Sequence, residues 1–290
     1  MDKIAEAFNQ YSKLSVSEIE AKVTAILNEN RTKNRTQKVY ETILSCIDLT
    51  SLNITDNEES IANFTVKVND FGDNYPELPN VAAICVYPSM VKTVRETLTE
   101  GTEIAAVTGG FPHSQTFIEI KIAETSLALL DGATEIDTVI PIGKMMEGKY
   151  AEVMEEIQEL KAACKDANLK VILESGILNI NDLQKAAILA MESGADFIKT
   201  STGKLEKGAT TTAAYCMCQM IHEYNQISGR KVGFKAAGGI STTEEALKYY
   251  CIVESVLGKE WLNRDLLRFG ASKLANNVVS EILGKRKECF

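Results

Sequence analysis

From residue 43 onward, short apolar runs ending in polar or small residues alternate with stretches whose apolar positions recur at helical spacing. The runs predict eight strands, at 44–49, 81–86, 103–107, 135–140, 170–174, 196–200, 231–235 and 267–270. Helical stretches fill most of the gaps. Residues 150–165 carry Val153, Ile157, Leu160 and Cys164 on one stripe, and 182–193 is rich in Ala and Leu and stops at Gly194. Helices at 211–227 and 243–256 follow, the second expected to begin at Ser241 with Glu244 three residues on. Strand and helix alternating about eight times is the pattern of a (β/α)8 TIM barrel. A doubly wound open sheet is the alternative, because alternation alone does not show closure.

The pattern upstream differs. Residues 1–42 read as a helical N-terminal extension, with 43–290 as the barrel domain. Ser15 and Glu18 fit a capping box, after which Ile19, Val23, Ile26 and Leu27 recur on one helical face. We expect this leader to pack on the barrel; its alternative use is as a partner-binding arm.

Composition narrows the function. A net charge of -9 argues against a polyanion-binding surface and hence against nucleic acid, while leaving room for a small phosphate in a local pocket. No apolar run approaches the ~20 residues of a membrane span, and the first residues carry no apolar signal core, so a cytoplasmic protein is expected. The seven cysteines are scattered without a C-x-x-C pair, and the two histidines, His113 and His222, are far apart, so neither a metal nor another cofactor is expected.

In a barrel of this kind, chemistry sits at the C-terminal ends of the strands. There the sequence places Asp48, Cys85, Asp137, Glu174, Lys199 and Lys235, with glycine-bearing loops at Gly109-Gly110, Gly203, Gly238-Gly239 and Gly270. The strand ending Asp196-Phe197-Ile198-Lys199 runs into the small polar turn Thr200-Ser201-Thr202-Gly203-Lys204. A lysine held there loses water on one side, which disfavours the ammonium and frees the amine as a nucleophile; a solvated strand-end lysine is the plain alternative. Lys235 offers a second ammonium nearby, and Asp137 a carboxylate able to shuttle protons. Equally, one lysine could form a structural salt bridge with Asp137 or Glu174. A lysine that attacks an aldehyde forms a Schiff base, whose protonated imine stabilises a neighbouring carbanion. The loops at Gly203-Lys204, Gly238-Gly239 and Gly270-Ala271-Ser272 are placed to hold a phosphate. The segment 143–150 nearly matches a P-loop, but Tyr150 stands where the Mg²⁺-binding Ser or Thr belongs. Cys85 reads as a core thiol.

These motifs resemble deoxyribose-phosphate aldolase. The resemblance rests on Asp48-Leu49-Thr50, Ala83-Ile84-Cys85-Val86-Tyr87-Pro88, Glu135-Ile136-Asp137, the nonamer 196–204, Val232-Gly233-Phe234-Lys235 with Ala237-Gly238-Gly239, and Arg268-Phe269-Gly270-Ala271-Ser272, in order from about residue 43 to 275. It implies a metal-independent class I aldolase that reversibly cleaves 2-deoxy-D-ribose 5-phosphate to acetaldehyde and D-glyceraldehyde 3-phosphate. By the same resemblance, Lys199 matches the Schiff-base lysine, Lys235 the lysine that tunes it, and Asp137 the acid of the proton relay. Asp48, Thr50, Cys85 and Thr202 match substrate-pocket positions. Gly203, Lys204, Gly238, Gly239, Gly270 and Ser272 match phosphate-binding positions. A homodimer or homotetramer is implied as well.

Departures from the family pattern are local. Ala236 replaces a usual proline. Ser241 stands where an arginine is often found, which removes a bidentate phosphate donor, and Lys273 adds a positive charge after Gly-Ala-Ser. Some members end in a tyrosine whose hydroxyl helps transfer the C2 proton, where this chain ends in Phe290. They keep two other readings open: a weakened barrel serving as a binding or scaffold protein, and a class I aldolase for another phosphorylated aldehyde.

Overall fold

The computed structural model describes residues 3–99 and 101–290; residues 1 and 2 of the expected leader lie outside it. Eight parallel strands close into a barrel in sequence order: β1 Ile47–Thr50, β2 Ala83–Val86, β3 Glu103–Thr108, β4 Glu135–Val139, β5 Asn168–Ile172, β6 Phe197–Lys199, β7 Gly233–Ala237 and β8 Leu267–Ala271. β1 pairs with β8, so the sheet has no free edge, and the open-sheet alternative falls away.

Three helices precede the barrel: α1 Lys3–Phe8, α2 Val16–Asn30 and α3 Gln37–Ser45. The Ser15–Glu18 capping box starts α2 as expected. The helices around the barrel are α4 Glu58–Asn74, α5 Val91–Thr97, α6 Ile118–Leu130, α7 Ile142–Met146, α8 Tyr150–Cys164, α9 Ile180–Glu192, α10 Thr211–Ser228, α11 Thr243–Leu257 and α12 Leu274–Leu283.

Several boundaries differ from the sequence reading, each for a local reason. The first strand starts at Ile47 rather than residue 44, because Val39, Tyr40, Ile43 and Leu44 form the buried stripe of α3. β5 starts earlier and ends at Ile172, and Glu174 has already turned into the left-handed region at φ 51. β7 extends to Ala237, so Lys235 sits mid-strand rather than at its end. The cap of α11 is Thr242 with Glu245, one residue later than expected. Glu245 accepts from the Ser241 and Thr242 amides, and Glu244 instead pairs with Arg35 of the leader at 2.8 Å. The near-P-loop segment holds the short helix α7 followed by Gly148, which leaves no phosphate cradle.

The leader is bonded to the barrel's helices. The Ser12 amide donates to Glu223, and Gln184 donates to the Ser12 carbonyl at 2.9 Å. Asn30 reaches Ser255, and Asn34 reaches Glu254 at 2.6 Å. The main apolar core lies between barrel and helices, while a second, smaller cluster of Leu52, Ala83, Cys85, Ala105 and Val107 fills one side of the barrel interior. The other side of that interior is ionic.

Candidate active site

Alternation along a strand sends every second side chain inward. Inward positions on β1 and β4 to β8 carry Asp48, Glu135, Asp137, Lys170, Lys199, Lys235 and Arg268, all buried. Lys199 and Lys235 lie directly opposite each other across β6 and β7, and Asp137 lies opposite Lys170 across β4 and β5. One carboxylate oxygen, Asp137 Oδ2, accepts from both Lys199 Nζ and Lys235 Nζ at 2.7 Å. The other oxygen, Oδ1, accepts from Lys170 Nζ at 3.1 Å. Lys235 also donates to Asp48 Oδ2. Deeper in, Arg268 bridges Asp48 and Glu135, at 2.7 Å to each, and Lys170 donates to Glu135 at 2.5 Å. Four cationic side chains thus face three carboxylates.

Burial opposes charge on Asp48, Glu135, Asp137, Lys170, Lys235 and Arg268, but their neighbours outweigh it. Lys170, Lys199 and Lys235 hold Asp137 well below the usual carboxylate range. Lys235, Arg268 and Lys170 do the same for Asp48, and Lys170 with Arg268 lowers Glu135. Lys235 is pushed the other way: Asp137 and Asp48 raise it above an ordinary lysine, so it stays an ammonium. Lys235 is therefore a fixed positive charge, itself compensated by two carboxylates.

The linkage gives a testable stability profile. The three carboxylates ionise near pH ~4 in the unfolded chain and at lower pH in the fold. Their contribution is fully present above that unfolded value and is lost as pH falls through the folded values. The urea midpoint should be level between about pH 6 and 8 and fall below about pH 4, each titrating carboxylate adding at most ~1.4 kcal/mol per pH unit. A midpoint unchanged down to pH 3 would contradict the assignment.

Above this layer opens a cavity of roughly 380 Å³ at the C-terminal ends of β1, β6, β7 and β8. Lys199, 3% exposed, ends β6 and reaches the cavity floor. Thr50, Thr202, Gly203, Lys204, Gly238, Gly239, Gly270 and Ser272 line it, as do Ser241 and Lys273. Asp48 and Cys85 lie outside the lining. Asp48 is in the ionic layer beneath, and Cys85 is in the apolar cluster, where burial pushes its thiol up. Glu174 pairs with neither lysine; its carboxylate accepts from the Thr202 hydroxyl at 2.6 Å and fixes the turn after β6. Ser201 Oγ and Thr200 Oγ1 both donate to the Ala237 carbonyl, tying β6 to β7.

Two glycines make the cavity possible. Gly238 sits at φ 92, and a Cβ there would come within 2.9 Å of the Gly208 backbone. At Gly270 a Cβ would lie 3.2 Å from the stem of Lys235, so glycine leaves room for that ammonium to cross the barrel. Phe290 is not among the cavity-lining residues. Its ring packs 4.7 Å from Phe71, and its backbone is held by Asn276.

Lys170, Glu135 and Arg268 were not singled out from the sequence as site residues. Strand parity could have found them. Glu135 is two residues from Asp137 and so shares its inward face, and a buried acid requires a cation such as Arg268 or Lys170. No cluster of three or more His, Cys, Asp or Glu able to hold a metal occurs among the described residues.

The chain matches the model of the DeoC/LacD family aldolases over residues 42–254. It is 42% identical to a deoxyribose-phosphate aldolase of Mus musculus over 205 residues, which are 69% of this chain and 64% of that one. To the deoxyribose-phosphate aldolase of Bos taurus it is 37% identical over 251 residues, 82% of this chain and 79% of the other. Among solved structures, the tetrameric deoxyribose phosphate aldolase from Aeropyrum pernix superposes with a TM-score of 0.69 at 25% identity, covering 88% of this chain and 96% of that one. A closed barrel with a lysine ending its sixth strand beneath a glycine-lined cavity, and a family match spanning most of its length, make this chain an aldolase of the DeoC/LacD family.

Proposed function

We propose that this aldolase reversibly cleaves 2-deoxy-D-ribose 5-phosphate to acetaldehyde and D-glyceraldehyde 3-phosphate through a Schiff base on Lys199. The observation that carries the reading is the reach of Lys199 from the Asp137 carboxylate to the cavity floor, with Gly238, Gly239, Gly270 and Ser272 elsewhere on the wall. The neutral Lys199 amine adds to the aldehyde carbon, and water leaves to give the protonated imine. Loss of the C3 hydroxyl proton then breaks the C2–C3 bond. The electron pair passes into the imine as an enamine, and glyceraldehyde 3-phosphate departs. Protonation at C2 and hydrolysis release acetaldehyde and restore the amine. Asp137 enters as the carboxylate, a proton acceptor beside the lysine, and Lys235 as a retained ammonium that keeps that carboxylate charged. Borohydride trapping with the sugar phosphate, followed by peptide mass mapping, tests this: the reduced adduct belongs on Lys199 alone, and a folded protein that yields none would overturn it.

The phosphate is assigned to the loops after β7 and β8. Helix α12 begins there without a side-chain cap, and its free N–H groups suit an anion. Ser241 adds little, because its amide and hydroxyl both donate to Glu245. Lys204 and Lys273 both line the cavity, but Lys204 already donates to the Leu52 carbonyl, and Lys273 is the lysine next to the β8 loop. Lys273→Ala should raise KM for the sugar phosphate about 10-fold with kcat nearly unchanged, as expected for losing one charged hydrogen bond. KM for unphosphorylated 2-deoxyribose should stay the same; equal effects on both sugars would move the phosphate elsewhere.

The bonds from Ser12, Asn30, Asn34 and Arg35 to α9, α10 and α11 favour a leader that braces the barrel over a free partner-binding arm. A cytoplasmic setting and a homo-oligomer belong to the same reading. The described residues include no helix long and apolar enough to cross a membrane. The seven free cysteines suit a reducing compartment, and the Aeropyrum pernix structure is tetrameric.

A further inference from the structure

Glu174 combines two unfavourable features. Its backbone lies at φ 51, in the left-handed region where a Cβ is crowded. Its side chain is buried, 2% exposed, yet the only donors to its carboxylate among the described residues are the amide and the hydroxyl of Thr202. A buried acid ordinarily has a cation beside it, as every member of the ionic layer does. Strain of this kind persists only where the surrounding structure imposes it, and it gathers at ligand-binding sites.

The effect of Glu174 reaches the cavity through Thr202. The Thr202 hydroxyl gives its proton to Glu174, which leaves the oxygen to accept, and it accepts from the Lys204 amide at 3.1 Å. Thr202 lines the cavity but has no hydroxyl proton left for a ligand. Thr200 and Ser201 are committed as well, both to the Ala237 carbonyl. The amide of Gly203, between Thr202 and Lys204, differs from its neighbours. It has no acceptor among the described residues, and Gly203 lines the cavity. A Cβ built on Gly238 would lie 3.4 Å from the Gly203 Cα, so this free amide stands beside the loop after β7, to which the phosphate is assigned. A backbone N–H left free on a cavity wall is a donor for an anion. Thr202 is pinned before it by Glu174, and Lys204 is pinned after it by Thr202.

We infer that Glu174 is a positioning residue: acting through Thr202, it holds the 202–204 turn so that the Gly203 amide faces the phosphate of the substrate. The inference rests on the sugar phosphate reading above.

The test uses Glu174→Gly in the full-length chain. Glycine is at ease in the left-handed backbone, so the variant should unfold as cooperatively as the native protein. Inorganic phosphate, titrated and followed by phosphorus NMR, should bind the variant about 10-fold more weakly, the scale of losing one hydrogen bond to a charged group. KM for 2-deoxyribose 5-phosphate should rise by a similar factor with kcat nearly unchanged, and KM for unphosphorylated 2-deoxyribose should not move. Glu174→Gln keeps one oxygen for the Thr202 hydroxyl and should fall between the two. Thr202→Val removes the intermediary, so combining it with Glu174→Gly should add nothing to the loss from Glu174→Gly alone. Unchanged phosphate affinity in Glu174→Gly, or additive losses in the double variant, overturns the inference. An equal fall in kcat for both sugars also overturns it, because the turn would then be positioning Lys199. The phosphate titration needs no aldol chemistry. A native protein that binds phosphate through Glu174 but yields no borohydride adduct would remove the proposed reaction and leave the positioning role standing.

Discussion

Lys199→Ala is expected to abolish borohydride trapping and to lower turnover of 2-deoxyribose 5-phosphate on the order of 10³-fold or more, the scale of losing a covalent nucleophile. Folding should survive. Asp137, the carboxylate that Lys199 touches, keeps Lys235 at 2.7 Å and Lys170 at 3.1 Å, so no buried anion is orphaned. The variant therefore separates chemistry from stability. Turnover near the native level, or a reduced adduct on Lys204 or Lys273 at the cavity rim, would sink the assignment of the nucleophile.

Asp137→Ala should have the opposite balance, with a large effect on both. Its removal leaves Lys170, Lys199, Lys235 and Arg268 facing only Asp48 and Glu135, with all but Lys199 buried beneath the cavity. Breaking a buried ion pair by deleting one partner typically costs about 3–5 kcal/mol, because the remaining charge is uncompensated. The protein's escape is to deprotonate a lysine. A buried lysine whose folded pKa is lowered makes stability rise with pH, since the unfolded state binds more protons. Urea unfolding of the variant should therefore show a midpoint climbing from about pH 6 to 8, where the native protein is level. A variant as stable as the native chain and flat in pH would mean that water, rather than Asp137, compensates the three lysines.

Much of this was legible from residues alone, because strand ends and helical stripes are local signals. The eight strands, the capping box at Ser15 and the place of Lys199 at the end of β6 all follow from side-chain period and turn residues. Errors came where two local signals overlap. Ile43 and Leu44 continue a helical stripe as readily as they begin a strand, and packing of α3 against α12 decides between them. Ser241-Thr242 offers two adjacent caps, and the ion pair of Glu244 with Arg35, distant in sequence, accompanies the second. The ionic layer was only half visible. Asp137 and Lys235 stand out as charges in apolar runs, whereas the tie between Asp48 on β1 and Arg268 on β8 exists only once the barrel has closed. For the same reason, Asp48 and Cys85 could be placed near the cavity from their strands but not at their depth beneath it.

The order of the buried charges along the chain has a consequence for assembly. All the carboxylates of the layer, Asp48, Glu135 and Asp137, come from β1 to β4, and all the cations, Lys170, Lys199, Lys235 and Arg268, from β5 to β8. Each half of the barrel, taken alone, presents a concave face of one sign. Two copies of the same half repel across that face, while unlike halves attract and neutralise each other. The layer therefore disfavours the pairing of like halves that repeated βα units invite and favours the union of the first half of the barrel with the second.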